Sequence, residues 1–147
     1  MYIARMAERF AIPITPTSAD IDELGHVSNL VYLRWVADVA MAHSRARGWD
    51  MAAYRALGAV WMVRRHEIDY IAQVTLGQEL RAETWVDSWR AASCIRKTEI
   101  RRGDIVVAKA ATQWAMIGLA TGRPQRIPEH LLAAFTGSGS GNDGHSG

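Results

Sequence analysis

The apolar residues of this chain follow two different rhythms. From Asn29 to Gly48, "NLVYLRWVADVAMAHSRARG", they recur at helical spacing. Ser28 and Asn29 both suit an N-cap and Gly48 a C-terminal stop, so the pattern predicts one helix about 30 Å long. With residues placed every 100°, Arg34, Asp38 and Arg45 fall within about 40° of one another. Leu30, Val31, Leu33, Trp35, Val36, Val39 and Ala40 occupy the rest of the circumference. A helix with so narrow a polar stripe requires a covering on most of its sides.

The second rhythm is that of strands. Residues 10–17, "FAIPITPT", are β-branched and broken by two prolines, which suits an edge strand. Segments 58–71, 78–90, 93–102 and 104–120 are rich in Val, Ile, Thr and Trp, and several alternate. Residues 51–57 fit either a short helix or a loop. Gly77, Ala91-Ala92 and Gly103-Asp104 supply breaks of hairpin length, so successive strands are expected to pair antiparallel. One strand, a long helix and a four-strand meander is an α+β order. A single domain is expected over residues 1–136, with 137–147, "GSGSGNDGHSG", as a disordered Gly/Ser-rich tail.

Composition narrows the field. The 147 residues suffice for one real core, and a net charge of +2 with scattered basic residues gives no footprint for nucleic acid. Cys94 is the single cysteine, so neither an internal disulfide nor a Cys-based zinc cluster is expected. The first ten residues lack a signal-peptide pattern, and no run reaches the roughly 18 apolar residues of a membrane span. No membrane partner is expected, and the cytoplasm is the expected compartment.

The chemistry concentrates just before the helix, in "DIDELGHVSN" (20–29). A helix start carries unpaired N–H groups and partial positive charge, so Asp20, Asp22 and Glu23 also fit a purely structural role with Gly25 making the turn. The same physics suits hydrolysis of an activated carbonyl. The N–H groups can hold an oxyanion while a carboxylate activates water or attacks directly. A thiolate leaving group, with a thiol pKa near 8.5, would need no serine nucleophile, and no G-x-S-x-G is present. A site built on Asp20, Asp22 and His26 is a third reading, but no metal-ligand spacing supports it and no metal or cofactor is expected.

Three segments together resemble the 4-hydroxybenzoyl-CoA thioesterase-like branch of the hot-dog superfamily. They are "DIDELGHVSNLVYLRWVADVA" (20–40), "VRRHEIDYIAQVTLGQEL" (63–80) and "ATGRPQRIPEHL" (120–131). The family carries D-x-x-G-H-V-N-N, then I-D-Y and G-D-x-L, then T-G-R-P-x-x-I-P, in that order. The resemblance implies an antiparallel sheet wrapped around one long helix, a homodimer or homotetramer with sites at the interface, and an acyl-CoA or acyl-carrier-protein thioester as substrate. Asp22 matches the catalytic acid, as nucleophile or general base, and Asn29 the residue whose N–H polarises the carbonyl. Gly25 matches the turn and His26 the motif histidine, in a positioning role. Ser28 replaces the first of two asparagines, Ala72-Gln73-Val74 lacks a proline, and Gln78 replaces an acid.

Coenzyme A brings phosphates, for which Arg64, Arg65, Arg90, Arg96, Lys97, Arg101 and Arg102 are all eligible. As strand neighbours, Arg64 and Arg65 are expected to point to opposite faces. Tyr32 and Trp35 are candidates for the acyl pocket, although core packing is the stronger expectation for both, and Trp61, Trp85, Trp89 and Trp114 are expected to pack a core or a dimer interface rather than bind an acyl group. His66 reads as a surface or interface histidine, and His43 and His130 have no supporting context. A hot-dog dehydratase is the lesser enzyme reading, because H-F-P-G-x-P and D-x-N-P-x-H patterns are absent. A non-catalytic acyl-thioester module is the third; a regulator would be expected to carry a helix-turn-helix, for which 147 residues leave no room.

Overall fold

The computed structural model describes residues 8–137. Its elements run β1 (Phe10–Ile14), α1 (Asn29–Ala46), α2 (Met51–Leu57), β2 (Ala59–Tyr70), β3 (Leu80–Trp89), β4 (Ser93–Arg102), β5 (Ile105–Gly118) and α3 (Glu129–Thr136). Ser28 is the N-cap of α1, with its Oγ accepting from the Leu30 N–H at 3.3 Å. The helix stops two residues before Gly48, which takes the left-handed φ of +85° just beyond the Arg47 cap. Residues 51–57 are helical because Asp50 caps them through the Ala53 N–H and Gly58 ends them at φ +84°. α3 has no counterpart among the predicted elements. All but Gly137 of the expected tail lies outside the described residues.

The sheet is antiparallel with strand order β1-β3-β4-β5-β2. This corrects the expected meander. Only β3-β4-β5 is one, whereas β2 pairs with β5 along its whole length, from Ala59↔Gly118 to Tyr70↔Ala108. Residues 71–79 are therefore a crossover from one side of the sheet to the other, not a hairpin turn at Gly77. β3 already has β1 and β4 on its two edges, and β5 offers β2 a free edge longer than β2 itself.

α1 lies against this sheet and buries Val31, Tyr32, Trp35, Val36, Val39, Ala40 and His43. Around its first half, Trp35 and Val39 pack with Ile14, Leu80, Ala82, Ile100 and Val107 in one cluster. Each of the Val, Leu and Ile side chains contributes about 1.5–3 kcal/mol on burial. A second cluster of Tyr54, Ala59, Met116, Ile127, Leu131 and Phe135 seats α2 and α3. Arg34, Asp38 and Arg45 form the exposed stripe, but Leu30 is not covered as expected: 74 % of it faces solvent.

Candidate active site

The loop from Asp20 to Ser28 is built by its own short polar groups. Ile21 and Val27 form an isolated antiparallel bridge, the Asp22 N–H donates to the His26 carbonyl at 2.8 Å, and the Ser28 N–H donates to the Asp20 carbonyl at 2.9 Å. Gly25 closes the turn at φ +83°, a left-handed conformation that disfavours a Cβ. The Val27 N–H donates to Val74 at 2.8 Å, which ties the loop to the 71–79 crossover.

Asp20 is the anchor rather than an incidental loop acid. It is 3 % exposed; its Oδ2 accepts from the Thr17 N–H at 2.8 Å and its Oδ1 from Arg34 Nη2 at 2.7 Å. The Thr17 N–H and then Arg34 hold its carboxyl below the usual range. Both oxygens are thus engaged, which removes Asp20 from any shared ligand set with Asp22 and His26. Among the described residues no group of three His, Cys, Asp or Glu is gathered for a metal.

Asp22 is exposed, and its Oδ1 accepts from the Leu24 N–H at 2.9 Å and the His26 N–H at 3.4 Å. This turn holds the carboxylate while Oδ2 accepts nothing from the described residues. Six residues on, Ser28 deals with the first N–H groups of α1. Its Oγ takes Leu30 and its carbonyl takes Val31 at 3.0 Å, which leaves the Asn29 N–H without an acceptor among the described residues.

Asp22, His26 and Asn29 line one groove of about 710 Å³, with Leu24, Val27, Ser28, Tyr32, Tyr70, Ile71, Ala72 and Gln73. Gly25 shapes the loop but does not line it. Tyr32 lines the groove with its ring edge-on to Tyr70 at 5.3 Å, whereas Trp35 lies 4 % exposed in the core behind it. Burial pushes the Tyr32 phenol up. Tyr70, the tyrosine of the "IDY" segment, adds a groove residue beyond the sequence candidates. Its hydroxyl donates to the Asn29 carbonyl at 3.2 Å and so braces the start of α1.

The candidate cations separate clearly. Arg96 is 6 % exposed beneath α1 and does not line the Asp22 groove. Arg101 is paired with Glu99 at 2.7 Å, and Arg9 bridges Glu83 and Glu99 at 3.1 and 3.2 Å on the same sheet face. Arg102 lies close to the groove, with its Nη1 donating to the Gln73 carbonyl at 2.8 Å. Arg64 and Arg65 are exposed on β2 and do not line the groove. A register shift between Val63 and Arg65 leaves Arg64 as the extra residue of a β-bulge, so the strict alternation expected of the pair does not hold. His66 is exposed and its Nδ1 shares a hydrogen bond of 3.0 Å with Thr112 Oγ1.

The profile of the Thioesterase-like superfamily matches residues 16–135. No curated protein matches the chain. Among solved structures it is similar to a Staphylococcus aureus protein in complex with CoA, at 16 % identity and TM-score 0.82 over 90 % of this chain and 85 % of the other. A 1,4-dihydroxy-2-naphthoyl-CoA thioesterase from Synechocystis superposes with TM-score 0.79 at 18 % identity, over 87 % and 96 % of the two chains. A DHNA-CoA thioesterase from Staphylococcus aureus does so with TM-score 0.80 at 17 % identity, over 92 % and 94 %. These similarities establish the fold, and the family match spans the loop, the helix and strands β2 to β5. The chain therefore belongs to the thioesterase-like superfamily, as a thioester hydrolase on the hot-dog fold.

Proposed function

We propose that this protein hydrolyses an acyl-CoA thioester, with Asp22 driving attack on the carbonyl and the Asn29 N–H receiving the oxyanion. The observation that carries the reading is the sharing of one groove by a carboxylate with a free oxygen and a helix start with one uncapped N–H. In the general-base form, Asp22 Oδ2 takes a proton from water as its oxygen adds to the carbonyl. The oxyanion of the tetrahedral intermediate accepts from Asn29, the C–S bond breaks and the thiolate leaves. In the nucleophilic form, Oδ2 itself adds, and water then hydrolyses the resulting anhydride. An oriented oxyanion donor contributes about 10²–10³ in rate and a positioned base about 10²–10⁴. Gly25 and His26 act by shaping the turn that presents Asp22.

The reading extends to the assembly. β2 is the last strand of the sheet, and no strand pairs with its outer edge among the described residues. Met62, Val63, Tyr70 and Ile71 are 48, 40, 47 and 54 % exposed on and just beyond it, and Leu24 and Leu30 are exposed beside the groove. A second copy would cover this apolar surface and close the groove, as a homodimer. Arg64 and Arg65 on that edge, together with Arg102, are the cations proposed for the CoA phosphates. The names of the similar structures support a CoA thioester over other activated acyl groups.

The test is thiol release over short, long and aromatic acyl-CoAs, with Asp22→Asn alongside. Wild type should turn over at least one class, and the variant should lose about 10²-fold or more in kcat with fold and oligomer retained. Full activity in Asp22→Asn would refute the mechanism. Label found in the Asp22 carboxylate after a single turnover in H₂¹⁸O identifies the nucleophilic form, in which water opens the anhydride at the aspartyl carbon.

A further inference from the structure

A second cavity, of about 640 Å³, opens along the other half of α1. Met41, on its rim, lies twelve residues beyond Asn29, which is about 18 Å along the helix. The walls are aromatic: Trp49, Trp61, Trp89 and Trp114, with Tyr54 and Phe135. The tryptophans expected to fill a core or an interface thus mostly line open space; Trp85 instead stacks under Arg9 on the sheet's other face.

Arg96 also lines this cavity, and its charge has no counter-ion. Its Nη1 donates to His43 Nδ1 at 2.9 Å and to Thr84 Oγ1 at 3.1 Å. Burial, then the charge of Arg96, pull the His43 pKa down to about 3, so His43 is neutral and both partners of the guanidinium are uncharged. Among the described residues, no carboxylate pairs with Arg96 and nothing accepts from its Nε or Nη2. Asp50, the acid in the lining, is exposed and caps α2 through the Ala53 N–H at 2.9 Å. Trp114 Nε1 is a second buried donor in the lining without a partner.

A desolvated cation held only by neutral groups is costly, and an anion brought to it recovers much of that cost. Walls of indole and phenyl rings bury a flat hydrocarbon body, and the other cation in the lining, Arg45, is exposed, where water weakens its hold on a second charge. We infer that this cavity binds an aromatic monocarboxylic acid, its carboxylate on Arg96 and its rings among Trp61, Trp89 and Trp114. The volume suits a two-ring acid, within the roughly 300–1,000 Å³ of small-molecule sites. The site is separate from the Asp22 groove and does not rest on the role given to Asp22.

The experiment titrates the full chain at neutral pH with 2-naphthoate and with uncharged 2-naphthamide, by calorimetry and by the tryptophan indole N–H resonances. One naphthoate should bind per chain, about tenfold or more tighter than the amide. The indole signals of Trp61, Trp89 and Trp114 should move, while those of Trp35 and Trp85 stay in place. Arg96→Gln should abolish the preference for the acid. Because that variant removes contacts to His43 and Thr84, Met41→Glu serves as the second: Met41 is 49 % exposed, and a like charge on the rim should weaken the acid but not the amide. Asp22→Asn should leave binding intact. Equal affinity for acid and amide, no saturable binding, or loss of binding in Asp22→Asn overturns the inference.

Discussion

Replacing Asp20 by asparagine tests whether a buried carboxylate, rather than the loop sequence around it, holds the turn that carries Asp22 in place. The substitution keeps shape and volume but leaves one acceptor oxygen where there were two. If the amide oxygen faces Arg34, its NH₂ opposes the Thr17 N–H; if it faces Thr17, the NH₂ opposes the guanidinium. One of the two bonds is lost in either pose. A charge-assisted bond contributes about 1.5–3 kcal/mol and an orphaned donor costs about 1–3 kcal/mol. Arg34 is 55 % exposed and regains water when released, which places the net loss near the low end, about 2 kcal/mol. With a urea m-value of about 1–3 kcal/mol/M, the midpoint should fall by roughly 1 M.

The pH dependence supplies a second reading of the same variant. The folded Asp20 carboxyl titrates below its ordinary value, with Thr17 and then Arg34 as causes. Its stabilisation is therefore complete above the unfolded carboxylate value of about 3.9 and is lost as pH falls through the lower folded value. Wild type and Asp20→Asn should differ fully at neutral pH and converge in strong acid. Urea melts at several pH values measure both effects. A midpoint within about 0.3 M of wild type at neutral pH would show that the anchor carries little of the loop's stability.

Two further outcomes follow from buried groups that do not line the Asp22 groove. His43 is neutral when folded, with its pKa drawn down to about 3, so the unfolded chain binds the extra proton below its own value of about 6.5. Wild type should lose up to about 1.4 kcal/mol per pH unit between roughly pH 6 and pH 4, and His43→Gln should show a shallower slope in urea melts over that range. Cys94 is buried but lines the second cavity, and burial raises its thiol to about 12, so thiol reagents should label the native protein much more slowly than the unfolded chain; equal rates would contradict the raised value.

Much of this site was legible because it is local. The run from Asp22 to Asn29 is a turn, a cap and a helix start, and each depends on residues within a few positions. Ser28 and Asn29 were equivalent as caps in the string; the structure separates them by which hydrogen bonds form. Tyr70 lines the groove from the far end of β2, and Arg102 stands beside it at the end of β4, on the Gln73 carbonyl. No spacing in the chain encodes that approach.

What the sequence by itself determined is most of the elements, though not α3: a long helix with a narrow polar stripe, strands of alternating character and the loop that carries Asp22. Side-chain periodicity and cap chemistry act over a few residues, so they are readable in one dimension. Strand order, the bulge at Arg64, the anchoring of Asp20 and the burial of Arg96 were decided by the tertiary structure. The 71–79 segment looked like a hairpin turn, yet β2 pairs with β5, because strand pairing depends on which edges the rest of the sheet leaves open. Arg96 alternates like any strand residue, and only the placement of α1 over its face of the sheet turns a surface cation into a buried charge.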